Sequence, residues 1–183
     1  MISFTSAEPA PGFDDPLEML RACHGKILRQ CDTLQKLAAH LDREGCAIEG
    51  FEVQVQQAAR GILRYFDTAG QFHHQDEEED LFPALRASAG IDTTLLDRLL
   101  SEHIVMQAAW EALRPVLQLL AEGKQATLDA ALTEKFISSY TAHIATENAQ
   151  LLPMAERLLS LQQIILIGRH MSERRGAKFP EAS

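Results

Sequence analysis

The spacing of apolar residues is the feature that most constrains the fold of this chain. Across residues 96–120, apolar residues and one histidine recur in steps that alternate between three and four, as in a helix packed within a bundle. Segments 15–45, 51–90 and 127–158 show similar spacing, whereas sustained period-two alternation and Asn-Gly or Asp-Gly turns are absent. The sequence therefore predicts an all-α protein, an antiparallel up-down-up-down four-helix bundle with a short extra C-terminal helix.

The chain divides into three parts on this interpretation. Residues 1–14 carry Pro and Gly and are predicted to form a flexible N-terminal segment. Residues 15–160 form the four-helix bundle, and residues 161–183 form a short C-terminal helix and tail. We expect that helix near residues 161–174, packed on the end of the bundle, and we expect the basic tail to be exposed.

Local signals place the helix ends. Asp15 can cap the first helix, with Pro16 at its first position. The second helix is predicted to start near Phe51 and to run through Glu77, although Gly61 and Gly70 weaken it, and Pro83 should kink it or end its regular hydrogen bonding. Pro115 should bend the third helix, and Gly123 should end it.

Charge and cysteine content limit the partners and the compartment. The net charge of −9 disfavours nucleic acid and anionic membranes, both of which select for basic surfaces. Cys23, Cys31 and Cys46 form no Cys-x-x-Cys pair, which favours a reducing compartment. The N-terminus lacks a signal-like apolar stretch, and no run is long enough for a membrane helix. We expect a cytoplasmic monomer or homodimer that binds neither nucleic acid nor membranes.

Polar residues interrupt the apolar stripes at positions where a buried side chain is expected. A His-x-x-x-Glu pair followed six residues after the Glu by a Pro occurs twice. The two copies are His73, Glu77 and Pro83, and His143, Glu147 and Pro153. Because residues four apart lie on one helix face, each pair directs an imidazole and a carboxylate inward. His24 and His103 add one inward imidazole from each of the other two helices.

A pair of metal ions would account for this set of buried groups. Two buried carboxylates without partners would cost several kcal/mol each. Six ligands exceed the four of a tetrahedral zinc site, and imidazole with carboxylate but no thiolate suits iron or manganese. The predicted metal ligands are His24, His73, Glu77, His103, His143 and Glu147, with the carboxylates bridging two adjacent ions and the histidines terminal.

Less specific interpretations remain for single residues. A lone inward histidine such as His24 or His103 is more often a hydrogen-bonded core residue than a ligand. His74 and Glu78 repeat the His-x-x-x-Glu spacing, but the proline offset favours His73 and Glu77. We expect His74, Glu78 and Glu79 to be solvated, because they point away from the inner face.

The order of these motifs resembles that of the hemerythrin-like, HHE cation-binding family across residues 15–160. The resemblance implies a four-helix bundle holding two iron ions, an oxo- or hydroxo-bridged di-iron centre, that binds oxygen, nitric oxide or simply iron. Two positions depart from the oxygen carriers of the family. Gln107 stands where a further histidine is expected, and Asn148 stands where they have Asp, with Glu147 taking that role one residue earlier.

Three functions are compatible with the sequence. The first is a di-iron protein that binds or responds to a small diatomic ligand, oxygen or nitric oxide, or to an oxidant. The second is a redox enzyme at the same centre, reducing nitric oxide or peroxide or repairing iron–sulfur clusters, although no substrate pocket is evident from the sequence. The third is a metal-free helical module that docks a basic partner. The sequence leaves open whether the protein turns over a substrate.

Overall fold

The computed structural model describes residues 11–44, 51–88, 91–124 and 127–180. Within these stretches the regular structure is entirely helical, which confirms the predicted all-α class. Residues 1–10 lie outside them, so the flexibility of the N-terminal segment stays a prediction. None of the helices in the described stretches is both long and apolar enough to cross a membrane.

Four long helical arms form the bundle. The first arm is α1 (Pro16–Glu44), and the second comprises α2 (Phe51–Phe66), α3 (Ala69–Gln75), a first π-helical segment (Asp76–Leu81) and α4 (Phe82–Arg86). The third arm is α5 (Thr94–Ala121), and the fourth comprises α6 (Ala130–Thr146), a second π-helical segment (Glu147–Leu151) and α7 (Leu152–Leu158). The C-terminal helix α8 (Leu161–Arg174) follows, as predicted. Both α1 and α5 contact α2 and α6, as in an up-down-up-down bundle.

The helix ends follow the local signals closely. The Asp15 carboxylate accepts a hydrogen bond from the Glu18 amide at 3.2 Å, and Pro16 opens α1. Gly123 ends α5 in the left-handed conformation, with φ at 77°. The Lys124 amide then bonds back to the Leu119 carbonyl at 2.9 Å, closing a glycine-terminated cap. Pro115 lies within α5, which continues through it.

The second arm has a break that the apolar stripe does not predict. Helix α2 ends at Phe66 and α3 begins at Ala69, so Asp67 and Thr68 lie between the two helices. The Asp67 carboxylate accepts hydrogen bonds from Trp110 and Arg114 of α5. The Thr68 hydroxyl bonds to the Arg64 carbonyl at 2.6 Å and so occupies an acceptor of the last turn. The prediction of one helix from Phe51 through Glu77 is therefore wrong at Asp67 and Thr68, where contacts with α5 stabilise a break.

The second arm does not end at Pro83; its helix widens into the π-helical segment just before this proline. The Phe82 amide donates to the carbonyl of Glu77, five residues earlier, where an α-helix would use the residue four earlier. The fourth arm repeats this feature, since the Leu152 amide donates to the Glu147 carbonyl. A proline follows each widened turn, and the wider turn accommodates a ring that would collide with the preceding carbonyl in a regular α-helix.

Two apolar clusters fill the bundle on either side of a polar layer. One cluster includes Ile27 and Met106, and the other includes Leu20 and Leu99. His24 lies between Leu20 and Ile27 on α1, and His103 has the same place between Leu99 and Met106 on α5. The second cluster also contains Ile167 and Met171 of α8, so the C-terminal helix completes the core at that end.

The basic C-terminal segment is not an exposed tail over its first part. The side chains of Arg174 and Arg175 are only 14% and 17% exposed, and both contact Asp76. The prediction of full exposure is wrong because α8 folds back along the second arm and brings these cations against its acidic residues.

Candidate metal centre

The six predicted site residues lie together in the polar layer between the two apolar clusters. None of their side chains is more than 3% exposed. Their donor atoms form two groups, and within each group the atoms lie within 4.8 Å of one another. The first group is His24, His73, Glu77 and Glu147, and the second is Glu77, His103, His143 and Glu147. The two carboxylates thus belong to both groups, while each imidazole belongs to one.

The first group joins the first, second and fourth arms. The Nε2 atom of His24 lies 3.1 Å from an oxygen of Glu147 and 4.0 Å from an oxygen of Glu77. The Nε2 atom of His73 lies 3.5 Å from the same Glu77 oxygen. His24 Nε2, both nitrogens of His73 and all four carboxylate oxygens have no hydrogen-bond partner with suitable geometry. These buried atoms are close to one another without being satisfied by one another.

The second group joins the second, third and fourth arms. His103 Nε2 lies 3.4 Å from an oxygen of Glu77, and His143 Nε2 lies 3.0 Å from an oxygen of Glu147. The Nε2 atoms of His103 and His143 are themselves 3.0 Å apart. The spacing of four residues in each His-x-x-x-Glu pair therefore does bring an imidazole and a carboxylate together, as the sequence predicts.

Three of the four imidazoles are oriented by a side chain on their outer edge. The Nδ1 contacts are His24 to Asn148 Oδ1 at 2.8 Å, His103 to Glu78 Oε1 at 2.6 Å and His143 to Glu102 Oε2 at 2.8 Å. Each of these acceptors is the sequence neighbour of a site residue. Their role was not predicted from the sequence, although this adjacency is the signal that could have indicated it. An acceptor at Nδ1 fixes the ring and leaves Nε2 as the atom free to ligate.

The second group requires a cation between its imidazoles. Because Glu78 and Glu102 accept at Nδ1, the Nδ1 atoms of His103 and His143 carry the protons. In the neutral rings, both Nε2 lone pairs then face each other at 3.0 Å and also face carboxylate oxygens. Lone pairs and anions repel at this distance, so a proton or a metal ion has to lie among them.

The charges of the layer shift the pKa values of its members. Burial lowers the pKa of His24, but the carboxylates of Glu147 and Glu77 outweigh burial and raise it to about 10. The same balance raises the pKa of His103 to about 10. Burial and the charge of Glu147 raise the pKa of Glu77, whereas the adjacent imidazoles overcome burial and lower the pKa of Glu147. A metal ion entering this layer would displace the protons that these shifts retain.

His74 is buried, contrary to the prediction that it is solvated. It is 9% exposed, and its ring lies nearly parallel to that of His103, with centroids 4.1 Å apart. The opposite prediction came from its rotation of about 100° from His73, which on an isolated helix points to solvent. In the bundle that direction faces α5. His74 belongs to neither donor group, and its Nε2 atom has no partner.

Glu78 and Glu79 are exposed, as predicted, but each has a partner. Glu78 contacts His103, and Glu79 contacts Arg174. Asp80 contacts Arg174 at 2.7 Å and His170 at 2.5 Å. The five consecutive acids therefore have three roles. Glu77 lies in the donor layer and Glu78 contacts the site imidazole of His103, while Asp76, Glu79 and Asp80 contact cationic side chains at α8.

The two positions that differ from the oxygen carriers lie outside both donor groups. Gln107 accepts a hydrogen bond from Gln71 at 3.2 Å and donates one to Glu111 at 3.0 Å. Asn148 contacts the outer edge of His24 instead. Tyr140 is buried, and its ring lies parallel to that of His74 at 5.9 Å.

The fold and the buried layer define a helical-bundle protein with a site for cations. The profile of the hemerythrin HHE cation-binding domain matches residues 15–155. A protein of Haemophilus influenzae (strain ATCC 51907 / DSM 11121 / KW20 / Rd), named only as an uncharacterized protein, is 36% identical over 166 residues. That match covers 91% of this chain and 93% of the relative. The chain belongs to the hemerythrin HHE cation-binding family.

Proposed function

We propose that this protein binds two iron ions and uses them to bind a small diatomic ligand or an oxidant. His24 and His73 would hold one ion, His103 and His143 the other, and Glu77 and Glu147 would bridge them. The observation that carries this proposal is the membership of both carboxylates in both donor groups, with all four oxygens lacking hydrogen-bond partners. Bridging is the arrangement that gives each oxygen a cation.

The donor set favours iron among the available metals. Each group offers two imidazoles and two carboxylates, and no thiolate takes part in either group. Such mixed nitrogen and oxygen sets suit iron and manganese, whereas soft-ligand sites use cysteine. Iron commonly accepts more than four ligands, which leaves room for a small molecule on each ion. When bound, iron would supply redox and Lewis-acid chemistry.

A redox enzyme at the same centre is the second candidate. A groove of about 660 Å³ between α3 and α5 is lined by both His74 and His103, so small molecules have a route to the edge of the donor layer. In a metal-free interaction module, protonated His24 and His103 would have to balance the two buried carboxylates, at the cost of keeping four charges buried. Turnover of nitric oxide or peroxide by the iron-loaded protein, lost in His103→Ala, would establish the enzyme.

The proposal extends to partners and location. With a net charge of −9, we expect a small molecule as partner and no binding of nucleic acid or membranes. The free buried thiols of Cys23 and Cys31 support a reducing, cytoplasmic setting, and we expect a monomer or homodimer.

The test is metal content. Protein purified without chelators and reconstituted with ferrous iron under nitrogen should contain two irons per chain by elemental analysis. Anomalous scattering at the iron edge should then place both ions in the layer. Less than one iron per chain after reconstitution would overturn the proposal.

A further inference from the structure

The groove between α3 and α5 opens to solvent and reaches His103, one residue of the donor layer. Gln71, Gln107 and Ala108 are among the residues that line it, and His74 and His103 line it as well. Glu78 and Glu111 add carboxylates to the lining. A groove lined by two carboxylates and neutral amides favours an uncharged ligand over an anion.

His74 has the properties of a ligand-binding residue in this groove. It is 9% exposed, and its Nε2 has no hydrogen-bond partner within the described chain. A buried polar atom without a partner is costly unless something else satisfies it. The rings of His103 and Tyr140 lie nearly parallel to His74 and help to hold its orientation. Nothing in the donor layer uses this atom, because His74 falls outside both groups.

We infer that His74 offers a hydrogen bond to a small, uncharged molecule that enters through the groove and binds beside His103. The inference rests on the proposed iron centre and adds to it a residue and an entry route. The expected class of ligand is a compact molecule with an acceptor atom at its free end, such as nitric oxide or hydrogen peroxide. His74 is then a binding residue that distinguishes ligands by their acceptor and is not a ligand of the metal.

Nitric oxide binding to the ferrous protein tests the role of His74. Loss of one hydrogen bond should raise the dissociation rate constant about tenfold in His74→Leu. The N–O stretching frequency of bound nitric oxide should shift in the same variant, and His74→Gln, which retains an N–H donor, should restore part of both effects. His40→Leu is the matched control, since His40 lies sixteen residues beyond His24 on α1, about 24 Å along the helix.

The route is tested separately with Ala108→Phe, because Ala108 is exposed at the groove and a larger ring there need not enter the core. This variant should slow association and dissociation equally and leave the equilibrium constant unchanged.

Iron content is measured first in every variant. A His74→Leu protein that retains two irons but releases nitric oxide within twofold of the wild-type rate would overturn the inference. So would a fall to one iron per chain, since His74 would then be a metal ligand. A wild-type protein that takes up no iron would overturn the proposed function as well.

Discussion

Arg175 holds the buried carboxylate of Asp76 with two nitrogens, Nη1 at 3.0 Å from Oδ1 and Nη2 at 2.5 Å from Oδ2. Arg174 contacts the same carboxylate at 2.5 Å. Burial raises the pKa of Asp76 even though both guanidinium groups oppose that rise. Since Asp76 precedes Glu77 in the chain, this ion pair ties the C-terminal helix to the residue that would bridge the two ions.

Removing one of the two arginines that contact Asp76 should both destabilise the protein and weaken metal binding. We expect Arg175→Met to lower the free energy of unfolding by about 1–3 kcal/mol, less than for a fully broken buried pair because Arg174 remains. Urea denaturation and iron titration measure the two effects. Arg157→Met, at an exposed position of α7, is the control, and equal losses in both variants would contradict the prediction.

Glu77→Gln should separate metal binding from stability. The raised pKa of Glu77 means that folding disfavours its charged form, through burial and the charge of Glu147. A neutral amide removes that repulsion, so the metal-free variant should be more stable than the metal-free wild type. Iron uptake should fall below two per chain.

Thermal unfolding without metal and elemental analysis check both parts of this prediction. Glu134→Gln makes the same chemical change at an exposed position of α6 and should alter neither quantity. Full iron loading of Glu77→Gln would show that this carboxylate does not bridge.

Metal removal should lower the melting temperature. A ligand that binds only the folded chain stabilises it by about 4 kcal/mol when present at a thousand times its dissociation constant. Calorimetry of iron-loaded protein before and after dialysis against a chelator measures this difference. An unchanged melting temperature would instead favour the metal-free interaction module.

Two glycine substitutions should have opposite effects. A Cβ atom at Gly168 of α8 would lie 1.9 Å from the carbonyl oxygen of Phe13, so Gly168→Ala has to displace the backbone and should cost about 1–3 kcal/mol. A Cβ at Gly61 would meet nothing within 4 Å, and alanine favours the helix there by up to about 1 kcal/mol. Denaturant midpoints compare the two variants. Stabilisation by both would show that α8 does not pack against Phe13 in solution.

The donor layer was predictable because it depends on helical phase alone. His24 and His103 occupy positions of the apolar stripes, and the repeated His-x-x-x-Glu spacing specifies the other four residues. The structure places these six together, and the fold class follows from the same periodicity. Their function as ligands stays a prediction until metal content is measured.

Contacts between arms were not predictable in the same way. The burial of His74 depends on the neighbouring α5, and the burial of Arg174 depends on the path of α8. The apolar pattern of a single helix contains no information about either. The widened turns at Glu77 and Glu147 break the period on which the prediction relies. The proline six residues after each glutamate is the sequence feature that accompanies both widened turns.

The polar layer also interrupts the cohesion of the bundle. Because the apolar clusters lie on either side of it, each end of the molecule has its own hydrophobic driving force, and we expect unbalanced charge in the layer to weaken the coupling between the two ends. A chain stripped of cations should then lose cooperativity and open one end before the other, as separate folding units. Hydrogen exchange would reveal this as two sets of amide protection factors that merge into one when iron is restored.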